Sequence, residues 1–180
     1  MRTQIDYEKS IQKHRLTFKM TTELFMTRLL DNTLWLIFII STILLLTNKD
    51  NYSTNKSVLF LLAVVVLTTW LVIGLVFINK LVVIKGSNMS DNRRKIIQLL
   101  NDKFPKLKLD DSGQKIIRYN LKTGAFNWGK RITVIFKDNN MFLNITTLGR
   151  YDIKSPFHAV IHYWTLKAIK RQFQNNNNSR

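Results

Sequence analysis

Two long uncharged apolar runs constrain the fold of this chain more than any other feature. The first, "LWLIFIISTILLLT", covers residues 34–47, and the second, "VLFLLAVVVLTTWLVIGLVFIN", covers residues 58–79. At about 1.5 Å per residue, the second run is long enough for a helix to cross a hydrocarbon core of ~30 Å. The first reaches that length only if its helix begins near Leu29, which leaves Asp31 in the headgroup region. The sequence therefore predicts a transmembrane hairpin with spans at about 31–47 and 58–79.

A cleaved signal peptide is the main competing interpretation of an early apolar run. Here more than thirty residues precede the run, and no small-residue cleavage site follows it. We therefore expect the run to stay in the protein as a membrane span. The chain has no cysteine, which excludes disulfides, thiolate catalysis and cysteine-ligated metals.

The distribution of basic residues predicts the orientation of the hairpin. The polar connector "NKDNYSTNKS", residues 48–57, is short, so the two spans are expected to be antiparallel neighbours with both termini on one side. Residues 1–33 carry six Lys and Arg, the connector carries two, and residues 80–180 carry twenty. The positive-inside rule then places both termini in the cytoplasm. We expect a two-pass protein of the plasma (inner) membrane.

The segments on either side of the hairpin have different characters. Residues 1–30 are expected to form a cytosolic or interfacial amphipathic helix, because apolar residues recur at intervals of four from Leu16 to Leu24. Residues 31–85 form the hairpin segment. Residues 86–180 are expected to form a small basic cytosolic domain that ends in a disordered tail at 175–180.

Periodicity within the C-terminal domain predicts an α+β fold with the order α-β-β-β-α and an antiparallel meander. Helix signals place its two helices near residues 91–102 and 156–174. The strand-like runs are "QKIIRYNL" at 114–121, "RITVIFKD" at 131–138 and "MFLNITTL" at 141–148. Asn139 and Asn140 are expected to form the hairpin turn between the last two strands, because Asn tolerates a positive φ.

The charge of this domain bears on its partners. From residue 80 onward there are twenty Lys and Arg, six Asp and no Glu, a net formal charge of +14. No catalytic mechanism needs such an excess, whereas binding to nucleic acid, nucleotides or acidic lipid headgroups does. The alternative is a basic surface that rests near anionic lipid without a specific ligand.

The loop "TGAFNWGKR", residues 123–131, is one candidate site. An aromatic ring beside cations is how proteins hold a base and its phosphate, so Trp128, Lys130 and Arg131 are candidate ligand-binding residues. In the alternative interpretation, Phe126 and Trp128 cap a small hydrophobic core.

The stretch "GRYDIKSPFHAVIHYW", residues 149–164, is a second candidate site. Ser155 followed by Pro156 is a helix-start signal, and the free N–H groups of a helix start favour an anion. Three nearby side chains add charge or a stacking ring: Arg150, Tyr151 and Lys154. The alternative is an ordinary capped helix in which Asp152 pairs with one of the cations.

His158 and His162 lie four residues apart and therefore share one helix face. This is the spacing of a metalloprotease helix, but the intervening glutamate is missing, and Asp152 is the nearest carboxylate. We favour a structural pair, retain His158 as a ligand-binding candidate, and keep a membrane-bound zinc hydrolase as a weaker alternative. The chain lacks a serine elbow, a P-loop and a GxGxxG motif. We therefore assign no catalytic residue, metal or cofactor, and do not expect an enzyme.

The layout of the chain resembles that of the small two-transmembrane effectors of prokaryotic anti-phage immunity, including the CRISPR-associated type that responds to cyclic oligoadenylate. The resemblance rests on the apolar runs at 34–47 and 58–79, the short connector, and the basic domain with "NWGKR" and "GRYDIKSPF". It implies a homo-oligomer in the lipid bilayer whose cytosolic domains bind a cyclic oligonucleotide or another phosphorylated small ligand.

If the resemblance holds, ligand binding disrupts the membrane or opens a pore in anti-phage defence. Phosphates would then meet Arg131, Arg150 and Lys154, and a base would stack on Trp128 or Tyr151. The alternative from the residues alone is a membrane-anchored interaction protein whose basic domain binds anionic lipid or a protein partner without gating.

Overall fold

The computed structural model describes residues 4–47, 55–121, 128–149 and 154–178 of the 180-residue chain. It divides into two compact units. One, which we call the apolar unit, comprises Met1–Gln4 and Phe18–Ile73. The other, which we call the α+β unit, comprises Ile5–Thr17 and Gly74–Arg180.

The secondary structure elements follow one another along the chain as helices first and then a mixed region. The helices are α1 Tyr7–Gln12, α2 Thr22–Thr47, α3 Asn55–Phe77, α4 Met89–Lys103 and α5 Ala159–Asn178. The strands are β1 Val82–Lys85, β2 Lys108–Ser112, β3 Ile116–Leu121, β4 Gly129–Lys137, β5 Asn140–Leu148 and β6 Lys154–Ser155.

The apolar unit exposes large aliphatic side chains on α2 and α3, among them Leu44 and Leu59. Two hydroxyl groups of this unit are satisfied within their own helices. The hydroxyls of Thr42 and Thr68 each donate a hydrogen bond to the carbonyl four residues earlier, and the two hydroxyl oxygens lie 3.4 Å apart. Internal satisfaction of this kind is what an apolar environment requires of a helix.

The predicted fold class, with a two-helix transmembrane hairpin, is wrong. Within the described part of the chain, one helix, Val58–Phe77, has the length and hydropathy of a membrane span, with a mean hydropathy of 2.8. The first predicted span fails because its apolar run, residues 34–47, covers only about 21 Å as a helix. Lengthening it toward the N-terminus takes in Asp31 and Arg28.

The remaining candidate, Val58–Phe77, is by itself weak evidence for a membrane span, since the core helix of a soluble protein can have the same length and hydropathy. Such a core helix is mostly buried, whereas only 12% of this one is buried. Most of its apolar surface therefore has no cover within the described residues.

The α+β unit is built on a six-stranded sheet rather than the three strands expected. The strand order is β1-β5-β4-β3-β2, and all described pairings are antiparallel. β6 pairs with β5 on the same edge as β1, with Thr147 opposite Ser155. The added strands lack a clear sequence signal: β2 is polar, "KLDDS", and β1 and β6 are short.

Helices α4 and α5 cover one face of this sheet. Side chains such as Ile132 and Val134 alternate onto that face and are fully buried against Ile96 of α4 and Ile169 of α5. The opposite face also carries buried side chains, because Ile135 has no exposed surface.

The N-terminal segment Ile5–Thr17 belongs to this unit and packs on the sheet. The Tyr7 hydroxyl donates a hydrogen bond of 2.6 Å to the Phe136 carbonyl, and the His14 ring lies 5.9 Å from the Phe142 ring. Arg15 forms a β-bridge with Lys80. The fold of the α+β unit therefore depends on residues from both sides of the apolar unit in the sequence.

The turn between β4 and β5 lies one residue earlier than expected, and helix α4 begins two residues earlier than expected. The turn between β4 and β5 lies at Asp138 and Asn139, with Asp138 at a φ of 51° and Lys137 paired with Asn140. Helix α4 is capped by Asn88, whose side-chain oxygen accepts a 2.8 Å hydrogen bond from the Asp91 N–H.

Candidate functional site

The two stretches singled out in the sequence meet at one end of the β4–β5 pair. Gly129 is paired with Leu148, so Trp128 lies beside Gly149, where the second stretch begins. This end lies away from the turn at Asp138, at the opposite end of both strands. Residues 128–131 and 154–158 therefore contribute side chains to one region of the α+β unit.

Trp128 is the most exposed aromatic side chain of that region, at 58%. Its ring centroid lies 6.0 Å from that of His158, and the two rings are tilted by 57°. His158 in turn stacks on His162, with centroids 6.2 Å apart. The three rings form a row from the exposed indole to the interior, where His162 is 7% exposed.

A short hydrogen bond fixes the inner end of this row. The Thr147 Oγ1 atom lies 2.6 Å from the His162 Nε2 atom, and both side chains are buried. The pKa of His162 is lowered from 6.5 to about 4, mainly by burial and to a smaller extent by the nearby charges of Lys130 and His158. His162 is therefore neutral at physiological pH.

Lys130 is the cation that the fold brings to this row. It pairs with Thr147 across β4 and β5, so both side chains leave the sheet on the face covered by α5. Its ammonium lies 5.5 Å from the centroid of the Phe104 ring. Its positive charge acts on His162, whose pKa it lowers.

Two buried polar atoms at this end have no hydrogen-bond partner within the described part of the chain. They are the Ser155 Oγ atom and the His158 Nδ1 atom. Ser155 lies opposite Thr147 in the β5–β6 pairing. Buried polar atoms are normally satisfied, so these two are available to a ligand or a water molecule.

We call these six residues the Trp128 cluster: Trp128, Lys130, Thr147, Ser155, His158 and His162.

The predicted capping role of Ser155 is not found. Helix α5 begins at Ala159, and the Ala159 N–H donates to the Pro156 carbonyl at 3.0 Å.

Arg131 does not join the cluster, although it follows Lys130 in the sequence. Successive strand residues point to opposite faces, and the Arg131 Nε–H donates a 2.8 Å hydrogen bond to Asn120 on β3. The Asn120 amide donates in turn to Asp110 at 2.7 Å. The two cations predicted to act together therefore lie on different faces of the sheet.

Lys154 is also engaged elsewhere. Its ammonium donates a 2.5 Å hydrogen bond to the Asn79 side-chain oxygen. Arg150 and Tyr151, the other two candidates from this stretch, lie outside the described residues, as does Asp152. Of the seven ligand-binding candidates, Trp128, Lys130 and His158 come together.

The histidine pair has one ring nitrogen, His162 Nε2, already engaged by Thr147. Within the described ranges, no three side chains of His, Asp or Glu lie close enough to hold a metal ion. The bond to Thr147 supports a structural role for His162.

A groove of about 410 Å³ lies elsewhere in the α+β unit, between α4 and α5. It is lined by Lys95, Gln98, Leu99, Asp102, Gln172, Phe173 and Asn176. None of the predicted site residues lines it. Its lysine and aspartate do not give it the positive character expected of a phosphate site.

The sequence analysis did not identify Thr147 as a site residue, and it placed Ser155 at a helix start rather than in a strand. The signal for Thr147 was present, because the β4–β5 hairpin register places it opposite Lys130. The signal for Ser155 was weak, because β6 has only two residues.

Comparison of the chain with protein-family models, with curated proteins and with solved structures finds no match.

Proposed function

We propose that this chain is a membrane-associated protein whose α+β unit binds a phosphorylated, base-containing ligand, of the cyclic oligonucleotide class, at the Trp128 cluster. One observation carries the ligand half of the proposal: an exposed indole, an ammonium and a histidine with an unpartnered nitrogen converge from two distant stretches of the sequence.

The membrane half rests on the apolar unit. Val58–Phe77 is a 20-residue helix of mean hydropathy 2.8 with little of its surface buried. A helix that is apolar on all sides needs an apolar environment, and leaving it in water costs roughly 25 cal/mol for each Å² exposed. A lipid bilayer supplies that environment, with the basic α+β unit held at the surface.

Each member of the cluster has a distinct role in ligand binding. The Trp128 ring offers a stacking face for a base. Lys130 supplies the charge for a phosphate, and the His158 Nδ1 atom supplies a further polar contact. The net charge of +14 from residue 80 onward raises the local concentration of anions.

This role requires binding and no catalysis, so we propose a non-enzymatic protein without a metal or cofactor. A homo-oligomer, a gated pore and a role in anti-phage defence follow only from the resemblance in layout, and they stay predictions. Part of that resemblance was the hairpin that the structure corrects.

The experiment is calorimetric titration of the full chain in lipid nanodiscs with linear and cyclic oligonucleotides of equal charge. The full chain is needed because Ile5–Thr17 is part of the α+β unit. We expect one cyclic species to bind much more tightly than linear species of the same charge. Trp128→Ala should weaken that binding about tenfold to a hundredfold, the range for loss of one stacked base.

Neighbouring residues provide a matched control for charge. Lys130→Gln and Arg131→Gln each remove one positive charge, but from opposite faces of the sheet. The proposal predicts that Lys130→Gln weakens binding about tenfold, as expected for a charged hydrogen bond, and that Arg131→Gln has little effect. Equal weakening by both variants, or equal binding of all oligonucleotides, would show a nonspecific basic surface instead.

A further inference from the structure

Helix α5 has an apolar outer face as well as the buried face that packs on the sheet. Ile161 and Trp164 are three residues apart, on one side of α5, and are 54% and 60% exposed. His162 and Leu166 are buried on the other side. A helix of a soluble domain normally presents polar residues to water, so this face requires a partner.

The position of α5 identifies the partner. The apolar helix Val58–Phe77 ends at Phe77, and the Phe77 ring lies 4.8 Å from the Tyr163 ring of α5. Gly74, one turn before that end, lies so close to Pro156 that an added Cβ atom would be 2.3 Å from the Pro156 carbonyl oxygen. The start of α5 is therefore held against Gly74–Phe77, the last turn of that helix, which belongs to the α+β unit.

Lysine ammonium groups accompany the aromatic rings at this point. Lys80 lies 4.8 Å from the Phe77 ring centroid and 4.9 Å from that of Tyr163. Lys167 lies 4.9 Å from Trp164 and 5.0 Å from Tyr163. Aromatic rings with snorkelling lysines are the side chains that proteins place at the headgroup level of a bilayer.

We infer that the outer face of α5 docks onto the headgroup region of an anionic bilayer, with Ile161 and Trp164 in the acyl boundary and Lys80 and Lys167 on lipid phosphates. The inference rests on the membrane association proposed above and adds to it a second, interfacial contact. Charge complementarity and the direct contact of α5 with the end of the apolar helix favour lipid over a second copy of the chain.

The absence of cysteine from the chain permits a clean test. Ile161→Cys, at an exposed position, carries an environment-sensitive fluorophore in full-length protein in nanodiscs. Asn139→Cys, in the exposed turn at the far end of β5, is the matched control. Quenching by lipid-attached doxyl groups is compared with quenching by aqueous iodide, in nanodiscs with anionic lipid and in nanodiscs of phosphatidylcholine alone.

We expect doxyl lipid to quench the label at residue 161 and iodide to quench the label at residue 139, with the contrast largest in anionic lipid. Lys80→Gln and Lys167→Gln should each lower the ratio of docked to undocked protein about fivefold. Iodide quenching of both labels overturns the docking while leaving membrane association intact. Protection of residue 161 from both quenchers overturns it in favour of a protein partner, and failure to enter nanodiscs overturns the association itself.

Discussion

The Thr147 Oγ1 atom lies 2.6 Å from the His162 Nε2 atom inside the α+β unit, and this contact joins the C-terminal end of β5 to helix α5. Both side chains are buried. A neutral imidazole accepts or donates at this nitrogen without cost, whereas a charged one would be an uncompensated buried cation beside Lys130. The contact therefore makes the fold sensitive to pH.

We predict that stability falls as the pH is lowered from about 6.5 to about 4. The unfolded chain binds a proton on His162 below its ordinary pKa of 6.5, whereas the folded chain does so only near 4, so protonation favours the unfolded state in this window. The loss is at most about 3 kcal/mol. Urea unfolding of the full chain in detergent at several pH values measures it.

The variant His162→Gln is the control for this prediction, because glutamine does not titrate. It should lower stability at pH 7 and flatten the change between pH 6.5 and 4. A pH dependence that is unchanged in His162→Gln would assign the effect to other groups.

A second prediction concerns the partner of the histidine. Thr147→Val keeps the shape of the side chain but removes the hydroxyl, which leaves His162 Nε2 buried without its partner. We expect a loss of about 1–3 kcal/mol in the free energy of unfolding. The matched control is Thr165→Val on the exposed side of α5, where the hydroxyl bonds only its own helix at 2.9 Å. Equal effects of the two variants would contradict the prediction.

The central strands of the sheet could be predicted from the sequence, but the edge strands could not. Alternation in "ITVIF" indicated a strand because Ile132, Val134 and Phe136 enter one core. Ile135 is equally buried on the other face, which no local pattern indicated. That face is covered by the distant segment Ile5–Thr17, a long-range contact that periodicity does not encode.

The candidate site was predictable in part for the same reason. Trp128 and His158 were each singled out from local composition, and their approach depends on the pairing of β4 with β5. Adjacent cations in the sequence suggested one patch at Lys130 and Arg131. Strand β4 begins at Gly129, two residues earlier than expected, so it includes both cations. Because successive strand residues point to opposite faces, Lys130 and Arg131 lie on different sides of the sheet.

A third prediction concerns Gly74, where the end of the apolar helix meets the loop before α5. A Cβ atom at this position would lie 2.3 Å from the Pro156 carbonyl oxygen, so Gly74→Ala must displace backbone. We expect a loss of about 1–3 kcal/mol, the usual cost of overpacking, measured by thermal unfolding in detergent. Val72→Ala, at an exposed position of the same helix, is the control and should cost little. Full stability of Gly74→Ala would show that the close approach is not needed.

The final prediction follows from the chain order of the α+β unit. The chain leaves this unit at Thr17 and rejoins it at Gly74, and the Tyr7 hydroxyl donates to the Phe136 carbonyl at 2.6 Å. A folded unit cannot lie on both sides of a bilayer, so we expect Ile5–Thr17 and the sheet to lie on the same side of the membrane proposed above. The positive-inside rule predicts that this side is cytoplasmic.

Cysteines at two exposed positions, Lys13→Cys and Asn139→Cys, test this arrangement in a chain that has no cysteine of its own. A membrane-impermeant maleimide should label both in inverted vesicles and neither in intact cells, because the contacts of Ile5–Thr17 with the sheet require both positions on one side. Labelling of the two positions from opposite sides would mean that the N-terminal segment does not pack on the sheet in the membrane. The two variants should unfold at the temperature of the parent protein, since both side chains are exposed, and that measurement separates a change of sidedness from a failure to fold.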